Sequence, residues 1–202
     1  MTDWVDVQLA RRGISDPRVL AAMRGVPREL FVPERERKHA YADAALALAH
    51  GQTISQPYIV ALICQALRLD GSERVLDVGT GSGYQAAVLA ELAGEVVSIE
   101  RIAELSQQAR ANLEAAGYAE HVELHVGDGW DGVPERAPFG GIAVAAAASE
   151  PPRALLEQLA DGGRLVLPLG DRLEQWLVAV ERRGRVERVR ALSPVRFVPL
   201  VR

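Results

Sequence analysis

Residues Arg74 to Ala90 read RVLDVGTGSGYQAAVLA. A short strand-like run, RVLDV, meets three glycines, Gly79, Gly81 and Gly83, and then an apolar helical pattern that starts at Tyr84. Glycines at a strand-to-helix junction let the chain turn tightly and let backbone N–H groups approach a ligand at the helix start. The spacing is G-x-G-x-G, and Tyr84 stands where a dinucleotide fingerprint carries its third glycine. A phenol there crowds a pyrophosphate. Asp77, just ahead of the turn, repels one and suits a ligand with a positive amino or sulfonium group. The pattern favours S-adenosylmethionine over NAD.

Outward from this turn, elements alternate. A helix is expected over residues 57–69, the strand above follows, then a helix over 84–93 and a strand at EVVSIE. A helix over 102–117 precedes a strand over 121–129. Further strands are expected at 140–148 and 164–170, with a helix over 152–163 between them. Residues 174–183 and 195–202 read as a terminal hairpin. Such alternation gives βαβ units. The expected fold is α/β and Rossmann-like: a mostly parallel twisted sheet, helices on both faces, and an antiparallel C-terminal hairpin. Residues 1–56 lack strand signals and read as a helical and irregular cover, with Asp16 capping a helix that has Pro17 in its first turn. The whole chain, 1–202, reads as one domain with its Rossmann-like core over 57–202.

Composition agrees with a globular domain: 49% of residues are hydrophobic and 25% charged. The net charge of −4 argues against nucleic-acid binding through the overall field. The single cysteine, Cys64, lies on an apolar helical pattern and reads as buried and inert. His39, His50, His121 and His125 have no metal-ligand spacing, so no metal is expected. The N-terminus has no leader-like apolar run and no segment is long enough to span a bilayer, which points to a cytoplasmic protein.

Two further strand ends carry candidate ligand contacts. Glu100 closes EVVSIE, where a carboxylate can accept both hydroxyls of a ribose. Gly127-Asp128-Gly129-Trp130 follows the next strand; Asp128 could accept from an adenine amino group, or could simply make an Asp-Gly turn. Upstream, HGQTISQP runs into the helix at Pro57. Ser55 reads either as that helix's N-cap or as a working hydroxyl.

The blocks VPRELFVP, HGQTISQPYIVA, VLDVGTGSGYQAAVLA, VSIER, GDGWDGVPERAPF, LLEQLADGGRLVLPLG and VRFVPLV together resemble the protein-L-isoaspartate O-methyltransferase family, over nearly the whole chain. GQTISQP is the most specific of them. The resemblance implies a carboxyl methyltransferase that takes a methyl group from S-adenosylmethionine, leaving S-adenosylhomocysteine, and esterifies the free α-carboxylate of L-isoaspartyl residues in damaged proteins and peptides. It implies that Ser55 is the active-site serine, and that Ile54, Ser55, Gln56, Pro57, Gly79, Thr80, Gly81, Ser82, Gly83, Glu100, Asp128 and Gly129 surround the cofactor. The expected partners are isoaspartyl peptides, with no nucleic acid, no membrane and a monomeric chain. Two alternatives stand beside it: an aspartyl methyltransferase of one dedicated peptide, and a cofactor-binding module without catalysis. The chain departs from the family pattern at Ala47 and Ala49, which should make the approach to the site more helical, and at Gly140 and Ala145. Gly140-Gly141 should loosen the start of its strand.

Overall fold

The computed structural model describes residues 3–184 and 186–202. The N-terminal part holds α1 (Trp4–Gln8) and α2 (Pro17–Gly25), then 3-10 turns at Arg28–Phe31 and Glu34–His39. A small antiparallel pair follows, β1 (Leu46–Ala47) and β2 (Thr53–Ile54). The core then runs α3 (Pro57–Leu67), β3 (Arg74–Val78), α4 (Tyr84–Ala90), β4 (Glu95–Glu100), α5 (Ala103–Ala116), β5 (Val122–Val126), β6 (Phe139–Val144), α6 (Arg153–Glu157), β7 (Leu159–Gly170), β8 (Gln175–Arg183) and β9 (Val186–Pro194).

The main sheet has the order β5-β4-β3-β6-β7-β8-β9. Pairs from β5 through β7 are parallel; β7, β8 and β9 are antiparallel. Chain order runs outward from β3 in both directions, so the direction of winding switches there. In such sheets ligands bind outside the carboxyl ends of the strands at that switch. Both faces are covered. One apolar cluster joins the N-terminal segment, α2, α3 and α4 to the sheet, with Val5, Met23, Phe31, Ile63, Leu89 and Val75 among its members. The other lies beneath Leu155 of α6 and includes Leu76, Val78, Val97, Ile99 and Val144. Alternation along β3 therefore sends Val75 to the first face and Leu76 and Val78 to the second.

Local signals explain the boundaries. The Asp16 side chain accepts from Arg18 N (2.9 Å), with Pro17 opening α2, as the sequence suggests. Gly83 and Gly117 adopt left-handed conformations (φ 89° and 82°) at the start of α4 and the end of α5.

Four expectations need correction. The N-terminal part does contain strands, the β1–β2 pair, with Ala47 in β1 and only a 3-10 turn at Ala49–Gly51. The first core helix stops at Leu67, because Arg68 turns left-handed (φ 53°). The helix expected over 152–163 ends at Glu157. Gln158 is pinned by its side chain to Val133 N (2.9 Å) and Asp131 O (2.7 Å), and its carbonyl accepts from Phe139 N, so Leu159 enters the sheet beside Phe139. The terminal hairpin pairs β8 with Val186–Pro194, not with residues 195–202. That last segment crosses the carboxyl ends of the strands, where Ala147 N donates to Val198 O (2.8 Å) and Leu200 N donates to Ala147 O (2.7 Å).

Gly140 does not interrupt β6, although the register with β7 shifts between Phe139 and Gly141. A Cβ at Gly140 would meet Glu73 Cγ at 2.7 Å, so glycine suits the Glu73 packed against it. Cys64 is buried, which raises its thiol pKa. No described helix is long and apolar enough to cross a membrane, and no three described His, Cys, Asp or Glu side chains cluster as a metal site.

Candidate active site

A cleft opens at the carboxyl ends of β3, β4 and β6, lined by Ser55, Gly79, Gly81, Ile99, Glu100, Gly129 and Ala145, among others. Three local features shape it. Gly79 (φ 91°) and Gly81 (φ 54°) turn the chain without side chains, and a Cβ on Gly79 would sit 3.5 Å from Ala145 Cβ, narrowing the gap between β3 and β6. Glu100 is 6% exposed; its Oε2 accepts from Gly81 N (2.9 Å) and its Oε1 from Ile102 N (3.1 Å). A carboxylate has about four acceptor positions, so two remain for hydroxyl donors. Gly129 brings its loop against β3: a Cβ there would fall 2.6 Å from Val78 Cγ1.

Asp77 is placed elsewhere. It shares the Val75 face of β3 and is fully buried, accepting from Gln85 Nε2 (2.7 Å) and Ser98 Oγ (2.8 Å). Thr80 Oγ1 joins the same network through Ser98 Oγ at 2.6 Å. Burial pushes the Asp77 carboxyl up to about 6, against the lowering effect of its Gln85 and Ser98 hydrogen bonds, and Glu100 adds a smaller upward push. Asp77 thus braces the glycine turn from behind and does not line the cleft.

Of the other sequence candidates, Ile54 is buried in β2, and Pro57 is buried as the first residue of α3. Ser82 is buried, its carbonyl accepting from Asn112 Nδ2 (2.9 Å), and Gly83 packs toward Leu113 and Ala109. Asp128 Oδ1 accepts from Trp130 N (2.9 Å), closing its own turn. Gln56 is the N-cap of α3, yet no side chain bonds to that helix end. Ser55 is therefore no cap. It lies where the cleft meets a neighbouring groove; Thr53, Ser55 and Phe197 line both.

Two features escaped sequence reading. Arg28 is fully buried: its Nε donates to Ala40 O (2.7 Å) and its Nη2 to Ser55 O (2.7 Å). Its guanidinium carbon lies 4.5 Å from the Tyr84 ring centroid, and the remaining Nη has no polar partner. Burial lowers its pKa, and a guanidinium still keeps its proton. One side chain thus ties the N-terminal cover to the Ser55 backbone and to the helix after the glycine turn. The flanking prolines of VPRELFVP mark a fixed loop, but nothing in that string says the arginine points inward. The second feature is the C-terminal segment. Phe197 to Val201 wall the cleft, and Gln175 grips Phe197 from both sides, accepting from its N–H (2.7 Å) and donating to its carbonyl (3.3 Å). Trp130 Nε1 donates to Leu200 O (3.2 Å), so its indole secures this segment.

Comparison with known proteins decides what this arrangement is. The family model for protein-L-isoaspartate(D-aspartate) O-methyltransferase matches residues 4–202. The chain belongs to the protein-L-isoaspartate O-methyltransferase family. A relative of that name from Methanoregula boonei is 55% identical over 197 residues, covering 98% of this chain and 90% of the relative. A solved protein-L-isoaspartate O-methyltransferase superposes with a TM-score of 0.87 at 30% identity, over 97% of this chain and 64% of that longer one. A second, from Plasmodium falciparum and in complex with S-adenosyl-L-homocysteine, gives 0.83 at 27% identity, over 98% of this chain and 96% of its own. The fold is that of S-adenosylmethionine-dependent methyltransferases. The cleft suits this cofactor: a half-saturated carboxylate for ribose hydroxyls, side-chain-free backbone at Gly79, Gly81 and Gly129, and apolar walls from Ile99, Ile102 and Leu200.

Proposed function

We propose that the cleft holds S-adenosylmethionine with its ribose on Glu100, and that the groove beside Ser55 presents the free α-carboxylate of an L-isoaspartyl residue to it. The activity is that of the family, a protein carboxyl O-methyltransferase acting in repair of isoaspartyl sites. The observation that carries the site assignment is the position of Ser55, which with Thr53 and Phe197 lines both a ribose-competent cleft and a second groove.

The chemistry needs little from the protein beyond placement. When bound, the cofactor supplies an electrophilic methyl group on a positively charged sulfur. A substrate carboxylate with an ordinary pKa near 4 is already ionised at neutral pH, so no base is required. Glu100 and Arg101 are the acidic and basic side chains lining the cleft, and no histidine lines it. Ser55 can donate to one carboxylate oxygen and leave the other aimed at the methyl carbon. Alignment of this kind can lower a barrier by about 7–11 kcal/mol in the best cases. The apolar C-terminal wall, Phe197 to Val201, keeps water from competing for that methyl group.

The test is transfer of labelled methyl from S-adenosylmethionine to a peptide carrying one L-isoaspartate, with the same peptide carrying L-aspartate as control. Label should appear in base-labile ester on the first and not on the second. Equal labelling of both would sink the reading. In the same assay Glu100→Gln should weaken cofactor binding about tenfold or more, since a charge-assisted hydrogen bond contributes about 1.5–3 kcal/mol.

A further inference from the structure

We propose that the protein prefers isoaspartyl sites with acidic neighbours, selected by Arg12 and Arg196 at the groove beside Ser55. The proposal rests on the assignment of that groove to the peptide.

The groove is walled by Arg12, Thr53, Ser55, Tyr58, Arg196 and Phe197, with Gln56 and a few small or apolar residues between. Its charged side chains are both guanidinium groups, and no carboxylate lines it. This is notable in a chain of net charge −4. The two arginines come from opposite ends of the sequence, one from the N-terminal cover and one from the segment that crosses the strand ends. Arg12 is held ready: its guanidinium lies 3.8 Å from the Tyr58 ring centroid and is ion-paired with Asp43, which does not line the groove. That stacking fixes the side chain before any ligand arrives and leaves further N–H donors free. Arg196 is exposed and has no carboxylate partner among the described residues. A peptide carboxylate entering beside Ser55 therefore meets the unpaired charge of Arg196 on one side and, on the other, the N–H groups that Arg12 keeps free beside its Asp43 partner. A neighbouring Glu or Asp adds a second attraction. A neighbouring Lys meets repulsion. The planar fork of arginine also matches a carboxylate bidentately, which a lysine rim would not.

The experiment uses the full chain and three isoaspartyl peptides that differ in one flanking residue, Glu, Gln or Lys, made in versions that place it before or after the isoaspartate. The readout is the ratio of kcat/KM for the Glu peptide to that for the Lys peptide. At low salt the expected ratio is about three- to tenfold, the range open to exposed charge pairs acting together, and it should shrink at about 0.5 M salt. Arg196→Gln and Arg12→Gln should each lower the ratio, and the double variant should bring it near one. Arg12→Lys keeps the charge and should retain most of the preference, which separates charge selection from a disturbed Tyr58 stack. A parent ratio of one or below overturns the proposal, as does a ratio that survives in the double variant. If the Gln peptide is methylated without any charge preference, this proposal alone fails. If no isoaspartyl peptide is methylated in any arm, the underlying function assignment fails with it.

Discussion

Ser55 makes no hydrogen bond to the start of α3, so its removal should leave stability nearly untouched. Ser55→Ala is expected to keep its denaturant midpoint within about 0.5 kcal/mol of the parent. Single-turnover methyl transfer should fall about ten- to a hundredfold, the value of one hydrogen bond to a charged group, with cofactor affinity unchanged. A normal transfer rate with a lowered midpoint would make Ser55 structural after all. Asp77 should behave differently. Its buried carboxyl has a folded-state pKa of about 6, above the unfolded value near 4. A raised carboxyl stabilises the fold below the unfolded pKa, and that contribution is lost as pH rises from about 4 through 6, on the order of 3 kcal/mol in all. Asp77→Asn should flatten this part of the stability profile. Ionised Asp77 also favours a cation in the cleft, so parent affinity for S-adenosylmethionine should fall as pH drops through about 6, and the Asn variant should lose that dependence. A parent binding curve flat from pH 5 to about 7.5 would show that the Asp77 field does not reach the ligand. The glycine turn and Glu100 could be read from sequence because their backbone and strand-end positions follow from spacing. The direction of Asp77 could not. In a parallel strand buried on both faces, alternation gives no polar side to set the register.

At the scale of the element, the C-terminal segment departs most from what its sequence suggests. VRFVPLVR looks like a strand because it is largely apolar, whereas β9, VERVRALSP, is charged and largely exposed and carries no such signal. An edge strand has one unpaired side and carries charges that discourage further pairing, so it lacks the apolar signature of an inner strand. The apolar residues of the last segment serve instead as the wall of a cleft. Gln175 is what holds that wall at Phe197, standing in for a neighbouring strand with one donor and one acceptor. Gln175→Leu keeps the volume and removes both bonds, each worth about 0.5–1.5 kcal/mol. The expected result is an approximately tenfold weaker cofactor affinity, together with faster tryptic cleavage at Arg196. Unchanged cleavage and affinity would mean that the Ala147 and Trp130 contacts suffice to hold the segment.

At the scale of the whole molecule, an N-terminal cover that supplies no strand to the main sheet still becomes part of the site. Its apolar residues join the same cluster as α3 and α4, so cover and core are packed as one body on that face. Burial alone sets proximity, not the exact position of the Ser55 backbone. Arg28 fixes that position, because it bonds Ala40 O in the cover and Ser55 O at the cleft while lying over Tyr84. Composition and periodicity could show that the cover exists, but a buried arginine departs from the usual rule that such side chains stay in solvent, so its direction was not legible. Arg28→Met should strand two carbonyls, at about 1–3 kcal/mol each, and lower the denaturant midpoint accordingly. If the link matters to function, kcat should fall more steeply than stability predicts, while the cofactor dissociation constant moves little, since Glu100, Gly79 and Gly81 belong to the sheet ends. Arg28→Lys restores the charge and one of the two donors, and should recover part of the rate. A variant set in which midpoints drop but kcat in the folded fraction stays at the parent value would reduce Arg28 to a packing role, and would leave the placement of Ser55 to its own chain.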